Sequence, residues 1–197
     1  MKSSSTHYAA VAIGASSGGL KALELVLTML PADFPWPIFI VQHISPKWDS
    51  YLPGHFDQRC LLQVKEADDK EIPRSGLVYF APPNYHLLLE FERTLALSTE
   101  ERVNFSRPSI DILFSTAAEA YQEQLIAIIL TGANHDGADG LKRVKECGGL
   151  TIVQDPQTAE ATAMPKAALT ASQVDHILPL AEIGAMLHSL AAGKRRV

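Results

Sequence analysis

Three residue types that together perform acyl transfer each follow an apolar run in this chain. Ser16 lies in Gly14-Ala15-Ser16-Ser17-Gly18-Gly19, His43 comes straight after Gln42, and Asp136 lies in Thr131-Gly132-Ala133-Asn134-His135-Asp136-Gly137. A serine hydroxyl is a weak nucleophile until a neighbouring base takes its proton, and an imidazole is that base when a carboxylate orients it. The serine segment reads as Gly14-x-Ser16-x-Gly18, the G-x-S-x-G pattern of a sharp turn from strand to helix. Glycines on both sides permit a turn that a Cβ would obstruct. The free N–H groups at the start of the following helix, near Ser17 and Gly18, suit a developing oxyanion, where one donor is worth roughly 10²–10³ in rate.

Other chemistry fits the same residues. Ser16 or Ser17 could simply cap a helix, and a glycine-rich turn before a helix also cradles phosphate. The motif alone leaves these readings level with the nucleophile. A dinucleotide role is weaker. Gly14-x-Ser16-x-x-Gly19 is a degraded G-x-G-x-x-G, and no acidic residue about 20 positions on clearly ends the second strand. Asp136 could cap a helix beginning at Gly137. A metal site from His135, Asp136 and Asp139 lacks a companion cluster at ligand spacing, so the expected metal is none. His86, after Pro82-Pro83-Asn84-Tyr85, could face a cleft and touch substrate.

The elements that must position these residues follow from periodicity. Residues 9–14, 38–42, 125–130 and 150–153 are short β-rich apolar runs, read as buried parallel strands. Leu20, Leu23, Val26, Leu27 and Leu30 form one helical stripe over 18–30, stopped by Pro31. Helices are also expected over 50–59, 108–120 (starting near Ser106 or Arg107), 137–147 and 181–190, with Pro165 at the first position of another. Gly148-Gly149 ends the helix over 137–147. Runs at 77–80, 86–91 and 94–98 read as an antiparallel hairpin section added to the parallel sheet, and 175–178 as a last strand. The predicted fold is a three-layer α/β/α domain over 8–192, with a tail at 1–7 and a frayed basic tail at 193–197. In such a sheet, ligands bind beyond the carboxyl ends of the strands, which is where Ser16, His43 and Asp136 emerge.

Composition bounds the rest. The chain has 197 residues, 47% hydrophobic, with formal net charge −5. That fits a packed globular chain and argues against a nucleic-acid partner. Two cysteines exclude a disulfide framework and point to a reducing cytoplasm. No apolar run approaches the roughly 18–20 residues that span a bilayer, so no membrane insertion is expected.

The motifs also resemble a known family. Gly-Ala-Ser-Ser-Gly-Gly, Gln-His, Ala-Pro-Pro-Asn-Tyr-His at 81–86, Arg-Pro-Ser-Ile-Asp at 107–111, Leu-Thr-Gly through Asp-Gly-Ala at 130–138, and Met164-Pro165 occur here in the order seen in the CheB family. The resemblance covers about residues 8–190. It implies hydrolysis of glutamate γ-methyl esters on the cytoplasmic part of chemoreceptors, release of methanol, and in some members deamidation of receptor glutamines. It implies Ser16 as nucleophile, His43 as base, Asp136 as the residue that orients it, Ser17, Gly18 and Ala133 around the oxyanion and substrate, and no cofactor. Familiar members carry Met-Gly where this chain has Ala133-Asn134. They also carry a receiver domain before the catalytic domain, for which this sequence leaves no room. The expectation is a free-standing member or one trimmed to its catalytic domain. A serine esterase or amidase with another acyl substrate, or an idle binding module, are the competing expectations.

Overall fold

The computed structural model describes residues 8–43 and 51–194. The expected tail at 1–7, residues 195–197 of the expected tail at 193–197, and Ser50 lie outside the described residues; Gly193 and Lys194 belong to the last helix rather than to a tail. Seven strands form one parallel sheet: β1 (Ala10–Ala15), β2 (Ile38–Gln42), β3 (Gln63–Glu66), β4 (Leu77–Phe80), β7 (Leu125–Ile129), β8 (Leu150–Gln154) and β9 (His176–Leu178). Their spatial order is β3-β4-β2-β1-β7-β8-β9. Side chains of the central strands alternate between two buried faces, as a strand's period of two requires. Ala10, Ala12, Phe39, Val41, Ala127 and Ile129 share one core. Val11, Ile13, Ile38, Ile40, Ile126 and Ile128 share the other. Both faces are covered, so these strands read as continuous apolar runs.

Helices α1 (Gly19–Leu27), α2 (Tyr51–Asp57) and α6 (Leu180–Lys194) accompany the second face. The first face carries α3 (Ile110–Tyr121), α4 (Ala138–Glu146) and α5 (Ala163–Ala171), together with the hairpin of β5 (His86–Leu89) and β6 (Leu95–Ser98). The result is the expected three-layer α/β architecture.

Four expectations are corrected in detail. The run at 77–80 is not part of a hairpin; β4 pairs in parallel with both β2 and β3. All four of its residues are buried, which suits an interior parallel strand. The hairpin is a separate two-stranded sheet that packs Leu87, Leu89 and Leu95 on the α3 side. Pro82-Pro83 ends the ladder before it and removes two backbone donors. Helix α3 starts at Ile110 behind its cap Ser109, whose hydroxyl accepts from Ile112 N–H, rather than near Ser106 or Arg107. Pro165 is the third residue of α5, still within the first turn whose N–H groups have no helical partner.

The connection after β1 leads to α1 on one face, and the connection after β7 leads to α4 on the other. The carboxyl ends of β1 and β7 therefore flank the point where the topology switches sides, and a crevice is expected there.

Candidate active site

Ser16, His43 and Asp136 leave the carboxyl ends of β1, β2 and β7, three adjacent strands. Backbone bonding continues past the strand ends. His43 N–H donates to Ala15 O at 2.9 Å, and Ser16 N–H donates to Thr131 O at 3.0 Å. His43, Ser16 and Thr131 are thus held in register by the sheet itself.

The serine turn is tight. Gly19 N–H donates to Ser16 O at 2.8 Å, and Gly18 at φ 78° caps α1 without any side-chain bond. Neither Ser16 nor Ser17 is the helix cap. A Cβ at Gly18 would be strained at that φ and would lie 2.7 Å from the Glu160 Cβ; one at Gly19 would lie 2.0 Å from Gln42 Oε1. The N–H groups of Ser17 and Gly18 donate to no described residue. Ser16 and Gly18 are half-buried and Ser17 is exposed.

Gln42 was not foreseen as a functional residue. It is buried at the end of β2, and its Nε2 donates to Ser16 O at 2.9 Å and to His43 O at 2.8 Å. One amide therefore clasps the backbones of the serine and the histidine. Thr131 works similarly on the other side. Its hydroxyl donates to Ser17 O at 2.8 Å and accepts from Ala161 N–H at 2.8 Å, while its N–H donates to Gln154 Oε1 at 2.9 Å.

Asp136 is fully buried. It is not the cap of α4, which begins behind Gly137 at φ 95°. Its carboxylate is turned to the start of α3 instead. Oδ2 accepts from Ile110 N–H at 2.7 Å; Oδ1 accepts from the Ser109 hydroxyl at 2.9 Å and from Asp111 N–H at 3.2 Å. Burial alone would raise this carboxyl. The neighbouring His43 ring and the two helix N–H groups outweigh burial and hold it down at about 2. It is ionised throughout the neutral range.

His43 Nε2 lies 2.8 Å from Asp136 Oδ2. The ring is 13% exposed, so it reaches the surface on one side only. Its other nitrogen, Nδ1, lies 3.2 Å from Asn134 Nδ2. Asp111, next to this network, accepts from Gly140 N–H at 2.7 Å and from Asn104 Nδ2 at 2.8 Å. Burial pushes its carboxyl up to about 6, and the Asp136 charge pushes the same way.

His86 is not at the rim. It is 1% exposed, with Nδ1 accepting from Ser109 N–H at 3.2 Å and Nε2 3.0 Å from Glu101 O. It is a satisfied core histidine that braces the approach to α3, and a substrate contact from it is set aside. Ala133 is exposed beside Asn134. A cleft of about 440 Å³ adjoins the serine turn, with Gly18, Lys21, Thr131, Gln154 and Glu160 among its walls. Among the described residues, no group of three or more His, Cys, Asp or Glu is placed to hold a metal ion. No described helix is long and apolar enough to cross a membrane.

A buried ionised carboxylate, an imidazole and a glycine-flanked serine at neighbouring strand ends can carry out nucleophilic acyl transfer. Comparison with known proteins leads the same way. The family model described as CheB methylesterase matches residues 11–187. A Leptospira interrogans protein, provisionally named a protein-glutamate methylesterase/protein-glutamine glutaminase, is 52% identical over 177 residues, covering 90% of this chain and 92% of its own length. A Bordetella avium protein-glutamate methylesterase/protein-glutamine glutaminase is 40% identical over 192 residues, covering 98% of this chain and 56% of its own. This chain therefore spans about half the length of that second relative. The crystal structure of the Thermotoga maritima CheB methylesterase catalytic domain superimposes with a TM-score of 0.89 at 36% identity, covering 93% of this chain and 98% of that one. The chain belongs to the CheB methylesterase family.

Proposed function

We propose that this chain hydrolyses glutamate γ-methyl esters on the cytoplasmic segments of chemoreceptors and releases methanol, and that it deamidates receptor glutamines by the same route. The observation that carries the reading is the buried, ionised Asp136 placed 2.8 Å from His43, whose backbone is bonded to the residue before Ser16.

Ser16 is the nucleophile. As its Oγ bonds to the ester carbonyl carbon, its proton passes to His43. Because Nε2 faces Asp136, the nitrogen that takes this proton is Nδ1. Asp136 stabilises the resulting imidazolium. Ser17 and Gly18 N–H groups hold the oxyanion, and Ala133 borders the substrate. The C–O bond to methoxide breaks as His43 returns the proton, so methanol leaves. Water then attacks the acyl-enzyme, giving one proton to His43; that proton passes to Ser16 Oγ as the acyl C–O bond breaks, which frees Ser16 and leaves a glutamate. With glutamine, ammonia leaves in place of methanol.

Labelling with a fluorophosphonate tests this reading. The account predicts one modified residue, Ser16, and no labelling of Ser16→Ala. A folded wild-type chain that takes up no reagent would instead indicate an idle binding module.

A further inference from the structure

Asn134 touches both His43 and Asp136. Its Oδ1 accepts from Asp136 N–H at 3.2 Å, a turn that asparagine forms with the residue two further on. That bond fixes which end of the amide faces the ring. The end toward His43 is the NH2, 3.2 Å from Nδ1. An NH2 group can only donate, so Nδ1 must be the bare, accepting nitrogen. The ring proton then belongs on Nε2, beside the Asp136 carboxylate.

The consequence concerns the resting state. Nδ1 is the atom that must take the Ser16 proton, and in this structure Asn134 is bonded to it. Resting on the esterase reading above, we propose that Asn134 is a positioning residue that holds His43 as the Nε2–H tautomer and keeps Nδ1 occupied until Ser16 and the bound ester displace it. When the Ser16 proton moves to Nδ1, that nitrogen becomes a donor and can no longer accept from the Asn134 amide. The amide lets go, and the imidazolium is held through Nε2–H by Asp136. When the proton leaves with methanol, Nδ1 is bare again and the amide returns. A glycine could neither fix the tautomer nor occupy the nitrogen.

The test combines a ring signal with a labelling rate on the full chain. Nitrogen-15 spectra of histidine-labelled protein should show His43 with Nε2 protonated and Nδ1 bonded. In Asn134→Ala, the Nδ1 signal should move toward that of an unbonded imidazole nitrogen. Loss of one neutral hydrogen bond that competes with Ser16 should raise the fluorophosphonate inactivation rate about fivefold. Asn134→Asp presents only acceptors to Nδ1, should draw the ring proton there, and should lower the rate at least about tenfold. Opposite effects from the two variants are not what loss of structure alone would give. Asn134→Gly serves if Asn134→Ala does not fold. An unmoved Nδ1 signal, or rates that change in the same direction in both variants, would overturn the proposal. The ring signal is read without substrate, so a wild-type chain inert to the reagent would sink the esterase reading and leave the tautomer assignment to stand or fall by its spectrum.

Discussion

At the scale of single residues, the site depends on one carboxylate doing two jobs. Asp136 satisfies buried N–H groups at the start of α3 that have no helical partner, and it also faces His43. Replacing it by asparagine sets an NH2 donor against other donors and removes the charge that supports the imidazolium. Asp136→Asn should lose methanol release by about 10³–10⁴-fold, the range expected when an orienting aspartate is neutralised. A variant that keeps more than a tenth of wild-type turnover would place the orienting group elsewhere. Ser16, His43 and Asp136 were legible in the sequence as candidates because each follows an apolar run, although a helix cap competed for Ser16 and Asp136. Gln42 and Asn134 were not. An amide can donate and accept in many settings, and only the fold shows that one clasps two backbones and the other reaches a ring nitrogen. His86 misled for the opposite reason: its proline-rich approach resembles a cleft lip, yet it leads into the core.

At the scale of elements, the serine turn and the end of β2 act as one unit. Gly19 N–H closes the turn on Ser16 O, and Gln42 binds that same oxygen from the neighbouring strand. The Gln42 side chain cannot swing away from a new methyl group without breaking both of its bonds. Gly19→Ala, whose Cβ would sit 2.0 Å from Gln42 Oε1, should therefore displace Ser16 from His43. A misplacement of the order of 1 Å costs about 10²-fold in rate, and turnover should drop by that amount while the chain stays folded. Gln42→Leu should lose two hydrogen bonds and about 2 kcal/mol of stability, read from denaturant midpoints. Unchanged turnover in both variants would show that the clasp does not set the geometry. Strands with a continuous apolar run were readable in advance. The edge strand β3 was not, because Gln63, Lys65 and Glu66 carry no apolar pattern and its pairing comes from β4 alone. The misplaced 77–80 run has the same lesson: a short buried strand does not reveal its partner, and the order of strands is a property of the whole sheet.

At the scale of the whole molecule, two neighbouring carboxylates act on stability in opposite directions. Asp111, pushed up to about 6 by burial, binds its proton more tightly in the folded chain than an ordinary carboxyl near 3.8. Its contribution is complete below the unfolded value and is lost as pH rises through 6. Asp136, held down at about 2, contributes fully above 3.8 and loses that contribution as pH falls toward 2. Taken together, they predict a denaturant midpoint that is highest at about pH 4 and declines on both sides, with the Asp111 limb on the order of 2–3 kcal/mol. Asp111→Asn should flatten the decline toward neutral pH. A decline of equal size in that variant would assign the proton to another group. The net charge of −5 belongs to this scale too. On the proposed function, it disfavours long-range attraction to an acidic partner, so docking would rely on local positive or apolar patches.

The central claim is that Ser16 carries an acyl group from a glutamate methyl ester. The most direct measurement is methanol released from a methylated chemoreceptor cytoplasmic fragment by the wild-type chain and by Ser16→Ala, with folding of both checked by thermal melting. The account predicts steady release by the wild-type chain and none above background from a folded Ser16→Ala. Release at the wild-type rate by that variant would contradict it.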